Sequence, residues 1–193
     1  MIQAIDPHEA EHWREGLREF DAQNELIAMA IMCAFTKPQT WLDVGCGTGV
    51  LVRTASCNGI ISTGVDQLVT NQDTGRFWFY KRDLREPLDL GRTFEMVTCI
   101  EVAEHLEEKF EGVICDTLAR HVAPGGRLVF TAAKPGQPGY NHFNCQPQRY
   151  WRDRLESRGL RYSQADTIRL ANILQWTYTS LHHLEENLQV FTR

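Results

Sequence analysis

A short apolar run, Trp41-Leu42-Asp43-Val44, passes without a break into Gly45-Cys46-Gly47-Thr48-Gly49, and Val50 to Cys57 then reads as a helix. Glycines at a strand-to-helix turn let the backbone bend tightly and approach a ligand closely. The helix start behind them offers free N–H groups and positive potential to a carboxylate. The spacing is Gly-x-Gly-x-Gly, which departs from the Gly-x-Gly-x-x-Gly fingerprint of dinucleotide binders. No Tyr-x-x-x-Lys pair of the short-chain dehydrogenase type is present either. A nucleotide-dependent oxidoreductase is therefore a poor fit.

The alternation begun at Trp41 continues. Ile60 to Asp66, Phe77 to Tyr80, Phe94 to Ile100 and Arg127 to Ala132 read as strands. Residues 160–164 and 187–192 supply two more, with a helical segment between them. Val102, Leu106, Phe110, Val113, Ile114 and Leu118 keep helical spacing and predict one helix over Val102 to His121. Pro124-Gly125-Gly126 reads as a turn, and Pro147 to Arg158 as a helix with Gly159 behind it. Upstream, Glu9 to Phe35 is helical, divided where Asp21 supplies an N-cap. Strands alternating with helices imply a mostly parallel sheet covered on both faces. Trp13 and Phe20 are read as core residues.

Composition narrows the class without naming a reaction. The chain has 193 residues, 42% of them hydrophobic, which suits one soluble domain. No apolar run reaches the roughly 18 residues that span a bilayer, and the acidic N-terminus lacks a signal-peptide pattern. A cytoplasmic protein with no membrane partner is expected. The net charge of −5 argues against nucleic-acid binding by overall charge, while leaving room for a local basic patch. Six cysteines without Cys-x-x-Cys pairing suggest mostly small buried residues rather than a zinc site or disulfides.

At Asp43 to Gly49 the sequence resembles the first motif of the class I S-adenosylmethionine-dependent methyltransferases, and the likeness extends over roughly residues 40 to 133. It implies an α/β, Rossmann-like fold: a mostly parallel seven-stranded sheet with helices on both faces. One domain, 1–193, is expected. It has N-terminal helices over 1–38, a cofactor-binding core over 39–133, and a substrate-side loop with the last strands over 134–193. The resemblance assigns Asp43, Gly45, Cys46, Gly47 and Gly49 to the methionine end of S-adenosylmethionine. Asp66 ends its strand as an acid able to accept ribose hydroxyls, followed by Gln67. Asp83 and Leu84 would meet the adenine ring.

Glu101-Val102-Ala103-Glu104-His105 is the second strong match. Glu101 stands at a strand's carboxyl end, where ligands of open α/β sheets bind. On the expected helix Glu101, Glu104 and His105 share one face, whereas Glu107 and Glu108 read as solvated. Glu104, His105 and His142 are the catalytic candidates. A histidine titrates near neutrality and can take a proton from a hydroxyl or amine. The same pattern resembles a divalent-metal site of the small-RNA 2′-O-methyltransferases and some ubiquinone-pathway O-methyltransferases. By that resemblance Glu101, Glu104, His105 and His142 would hold Mn²⁺, Fe²⁺ or Zn²⁺; without a metal, a histidine acts alone. The expected reaction is methyl transfer to an O, N or C nucleophile of a small-molecule or sugar-like acceptor, with nucleic acid still open. The competing function is a partner subunit that binds the cofactor without turnover. The five arginines between Arg149 and Arg161 read as a mixed-charge surface helix whose core side is Tyr150, Trp151 and Leu155.

Overall fold

The structure is a computed structural model that describes residues 7–18, 20–177 and 182–193. Parts of the expected N-terminal helix, at Glu19 and before Pro7, and of the last helical segment, at 178–181, lie outside the described residues. The strands are β1 (Thr40–Val44), β2 (Ile61–Asp66), β3 (Gln72–Asp73), β4 (Phe77–Lys81), β5 (Phe94–Ile100), β6 (Val122–Thr131), β7 (Arg161–Tyr162) and β8 (Gln189–Thr192). They form one sheet in the order β3-β4-β2-β1-β5-β6-β8-β7. The pairs β4–β2, β2–β1, β1–β5 and β5–β6 are parallel. The two edges and the β6–β8 pair are antiparallel.

The α/β, mostly parallel sheet is as the sequence implied, with eight strands in place of seven. The addition is β3, two residues paired with Phe79 and Trp78. Its polar Gln72-Asp73 carries no apolar alternation to reveal it. A second difference is β6, which begins at Val122 and runs through the expected turn at Pro124-Gly125-Gly126. Gly126 lies so close to the backbone oxygens of Phe94 and Glu95 that a Cβ would stand 3.0 Å from each. The chain stays on the sheet there, and the register shifts between Phe94 and Met96.

Helices cover both faces. On one face α4 (Glu111–His121) and α5 (Gln148–Glu156) bury Ile114, Leu118, Trp151 and Leu155 against Leu42, Val97 and Phe130. On the other, α2 (Asp21–Ala34), α3 (Val50–Cys57) and α6 (Gln164–Thr177) bury Ile27, Ile31, Ala55 and Leu170 against Trp41, Met96 and Val129. Successive strand residues thus feed opposite layers, which is why the central strands are buried on both faces along most of their length. Arg154 of α5 pairs with Glu111, and Arg158 just beyond that helix pairs with Asp116, both on α4, as a mixed-charge surface segment should. α1 (Pro7–Arg18) and α7 (His182–Asn187) complete the described elements.

Asp21 proves not to be an N-cap. It is the first residue of α2, and its carboxylate accepts the Thr48 hydroxyl at 2.7 Å, tying that helix to the glycine loop. The cysteines are also less uniformly buried than expected. Cys46, Cys99 and Cys115 are buried, but Cys33 and Cys57 are exposed and Cys145 is half-buried. Among the described residues, no helix is long and apolar enough to cross a membrane.

Candidate active site

The strand order reverses between β1 and β5, so their carboxyl ends flank a crevice, the place where open α/β sheets hold ligands. The glycine loop leaves β1 there. Gly45, Gly47 and Gly49 all take positive φ, at 79°, 52° and 82°, which side chains of L-residues resist. Gly45 and Cys46 both donate to the Val65 carbonyl, and Gly49 donates to that of Cys46. The loop is therefore held to β2 by its own backbone.

Asp66 adds a second tie. One carboxylate oxygen accepts the Gly47 N–H and the other accepts the Leu68 N–H, each at 2.9 Å. Burial raises its pKa above the ordinary carboxylate value, against the opposing pull of these N–H groups. Gln67 follows, half-buried. Asp43 lies beneath the loop, buried, with its carboxylate accepting the Thr98 hydroxyl at 2.6 Å. Burial pushes its pKa up to about 7, despite that bond. The Cys46 side chain packs inward on Val52 and Phe79. Past β4, the Asp83 carboxylate is gripped by Arg85 at 2.6 Å, and Leu84 packs on the core. Burial raises the Asp83 pKa, but the Arg85 bonds outweigh it and hold the carboxyl below its usual range.

The greatest departure from expectation follows β5. Glu101 adopts φ 51°, left-handed for a residue that is not glycine. The next residues form two short 3₁₀ turns, Ala103–His105 and Glu108–Phe110, and the α-helix starts only at Glu111. Glu101, Glu104 and His105 consequently do not share a helix face. The Glu101 carboxylate accepts the Asn187 amide at 3.3 Å. Glu104 is fully buried, one of its oxygens accepting the Ala133 N–H at 3.1 Å. The other oxygen is buried without a hydrogen-bond donor among the described residues. Burial, then the neighbouring Glu101, pushes the Glu104 pKa up to about 9. Glu107 and Glu108 are exposed, as expected.

His105 faces the loop after β6. Its Nδ1 stands 3.1 Å from the Asn141 carbonyl, which can only accept, so Nδ1 carries the proton and Nε2 keeps the lone pair in the neutral ring. Burial lowers its pKa, which favours that neutral form. The His142 ring lies 5.0 Å from that of His105, centroid to centroid, and its Nδ1 is 3.7 Å from the Cys145 sulfur. The loop is shaped for this: Asn141 has φ 54°, and a Cβ at Gly139 would run into the His142 ring. The Glu104 carbonyl accepts the N–H groups of both Phe143 and Asn144, closing the loop onto the 3₁₀ turn.

Trp13 is not the core residue the sequence suggested. It is half-buried and meets the rings of His105 and Tyr140 edge to face at 5.1 and 5.2 Å. Phe20 is not core either, being 45% exposed. α1 crosses the crevice, with Arg14 donating to the Leu68 carbonyl and Leu17 lying over Gly47. Sequence reasoning passed over Tyr140, Asn141 and Asn187. The first two stood in the substrate-side loop, where aromatic and amide groups are interleaved with a histidine and only His142 was given a role, and Asn187 at a strand end carried no motif.

Of the expected site residues, the structure gathers Glu104, His105 and His142. One ligand-type atom from each lies within 4.8 Å of the others, and Glu101 is not part of that group. Residues 11–178 match the family of proteins described as "Methyltransferase domain". A ubiquinone biosynthesis O-methyltransferase of Rickettsia typhi is 28% identical over 107 residues, covering 51% of this chain and 43% of its own length. The chain thus spans under half the length of that relative. Among solved structures, a TehB-like SAM-dependent methyltransferase from Corynebacterium glutamicum superposes with a TM-score of 0.69 at 19% identity, covering 97% of this chain and all of the other. The Burkholderia thailandensis 1,6-didemethyltoxoflavin-N1-methyltransferase, solved with S-adenosylhomocysteine, gives 0.62 at 14% identity, covering 99% and 91%. These structures share the fold, and the match over residues 11–178 shows the kinship: the chain belongs to the methyltransferase-domain family.

Proposed function

We propose that this chain moves a methyl group from S-adenosylmethionine to a nucleophile on a small-molecule acceptor. The observation that carries this reading is the glycine loop at the strand-order reversal, tied by Asp66, with the rings of His105 and His142 gathered beyond the ends of β5 and β6. The residues fit the cofactor. Gly47 would present backbone without a side chain to the methionine end; Asp66 and Gln67 would hold the ribose; Asp83 and Leu84 would meet the adenine; Glu101 stands just past the end of β5. Bound there, the cofactor supplies a methyl group already activated by its positive sulfur. The protein's share is to orient the acceptor and exclude water. His105 would take the acceptor's proton on its Nε2 lone pair, and His142 would contact the acceptor. Calorimetric titration is expected to give micromolar affinity for S-adenosylmethionine and its demethylated product. Folded protein that binds neither would sink the proposal.

A second reading is favoured by one specific observation. Glu104 keeps a buried oxygen without a hydrogen-bond donor among the described residues, which is costly, and a carboxylate oxygen of Glu104 lies within 4.8 Å of nitrogens of His105 and His142. Glu104, His105 and His142 would suit Mn²⁺, Fe²⁺ or Zn²⁺, one carboxylate and two imidazoles being a set for such ions rather than for Mg²⁺. Such an ion would lower the pKa of an acceptor hydroxyl. On this reading chelator abolishes methyl transfer and added Mn²⁺ or Zn²⁺ restores it. Full activity in chelator, with no metal found by elemental analysis, leaves the histidines to act alone.

A further inference from the structure

Asn187 is the last residue of α7, and its side chain is 1% exposed. Its amide nitrogen donates to the Glu101 carboxylate at 3.3 Å and to the Gln137 side-chain carbonyl at 2.9 Å. The same Gln137 oxygen accepts the Lys134 N–H at 2.7 Å, so one amide ties the exit of β5 to the turn after β6. Gln148 fastens α7 in turn, donating to the Glu186 carbonyl at 2.7 Å. The Asn187 oxygen, by contrast, is buried without a hydrogen-bond donor among the described residues, a cost that a leucine of similar size would not carry. Packing therefore does not account for an asparagine here; its two N–H bonds do.

The Glu101 held in this way stands beside the glycine loop. Its N–H is fixed by the Thr131 hydroxyl at 2.9 Å, and the next side chain, Val102, lies against Gly45. Glu101 is half-buried and lies outside the group of Glu104, His105 and His142. Among the described residues it forms no ion pair with a lysine or arginine. A partly desolvated carboxylate without a counter-charge is unfavourable, and a cationic ligand would supply one.

We infer that Asn187 is a positioning residue, holding the Glu101 carboxylate as the counter-charge to the positive sulfur of S-adenosylmethionine. The inference rests on the methyl-transfer reading and deepens it. Loss of the methyl group leaves the sulfur neutral, so the attraction acts on the donor and lapses in the demethylated product. The site is thereby biased towards the charged donor and against product that would block it. Donor and product carry the same ammonium and carboxylate, so a comparison of the two isolates the charge on sulfur. A Glu101 carboxylate that paired with the ammonium instead would serve both ligands alike.

The test is calorimetric titration with S-adenosylmethionine and S-adenosylhomocysteine, in chelator so that no metal ion contributes. Glu101→Gln should shift the ratio of the two affinities about tenfold towards S-adenosylhomocysteine, between the few-fold effect of an exposed ion pair and the larger one of a desolvated pair. Asn187→Leu should shift it the same way by at least about threefold, and Gln137→Ala, which releases one of the two amide bonds, by about twofold. In the Glu101→Gln background, Asn187→Leu should leave the ratio within about twofold, as a residue acting through Glu101 must. A merely structural residue would weaken both ligands alike in either background. The melting temperature of Asn187→Leu should change little, because Glu101 and Gln137 are half-buried and can turn to water. A ratio unchanged from wild type in Glu101→Gln or in Asn187→Leu overturns the inference, as does a full further shift by Asn187→Leu in the Glu101→Gln background. Should Asn187→Leu not fold, Gln137→Ala decides, and an unchanged ratio there overturns the inference too. If wild type binds neither ligand, the methyl-transfer reading falls and this inference with it.

Discussion

Asp66→Ala is expected to raise the dissociation constant for S-adenosylhomocysteine about 100-fold and to lower the melting temperature as well. The first effect comes from two hydrogen bonds between a carboxylate and the ribose hydroxyls. Bonds to a charged group contribute about 1.5–3 kcal/mol each, and 1.4 kcal/mol is a factor of ten. The second comes from the folded state itself. Asp66 holds the N–H groups of Gly47 and Leu68, each at 2.9 Å, and alanine leaves both without that acceptor. From the sequence Asp66 reads only as an acid able to accept ribose hydroxyls; the two loop bonds make it a positioning residue too. The ribose share separates from the loop share with the 2′-deoxy form of the ligand. Wild type should lose affinity for the deoxy compound, and Asp66→Ala should bind the two forms almost equally. An affinity for the unmodified ligand within twofold of wild type would remove Asp66 from the site.

The elements legible in the sequence are those whose signal is local. β1, β2, β4 and β5 announce themselves as apolar runs, and the glycine loop by its spacing, because both follow from the backbone's own preferences. The helix expected over Val102 to His121 shows where that stops. Its apolar spacing is real, and from Glu111 onward it is a helix. Nothing in Glu101-Val102-Ala103-Glu104 signals the left-handed turn at Glu101, which delays the helix by nine residues and turns Glu104 into the core. That turn depends on partners distant in sequence: Thr131 accepts the Glu101 N–H, and Asn187 holds the carboxylate. The gathering of His105 with His142 was anticipated only by resemblance, since the loop that joins them is fixed by the carbonyls of Asn141 and Glu104. Trp13 was misread for a related reason. An aromatic residue on an amphipathic helix looks the same whether the helix packs on a core or lies across a crevice.

Gly45→Ala is expected to cost about 2–4 kcal/mol of stability, enough to leave a marginal domain partly unfolded. Two penalties combine. The φ of 79° places any side chain in the left-handed region, at about 1–2 kcal/mol. The new methyl would also press on Val102, standing 2.7 Å from its Cγ1 and 3.1 Å from its Cβ, and overpacking of this kind adds about 1–3 kcal/mol. The two penalties can be separated in the background of Val102→Ala, which removes the nearest methyl groups. There Gly45→Ala should cost only the backbone share, so that the pair shows a coupling of at least about 1 kcal/mol in urea denaturation. Equal costs in both backgrounds would mean that the loop does not lie against Val102. The outcome bears on what the first glycine is for. Its spacing suggests close approach of a ligand, but the nearest neighbour is the side chain of Val102, just past the end of β5 across the crevice. Gly45 then sets the width of the crevice by letting the β1 and β5 exits meet. Cofactor affinity should fall in Gly45→Ala even where the protein is held folded by low temperature, and Val102→Ala should recover part of it.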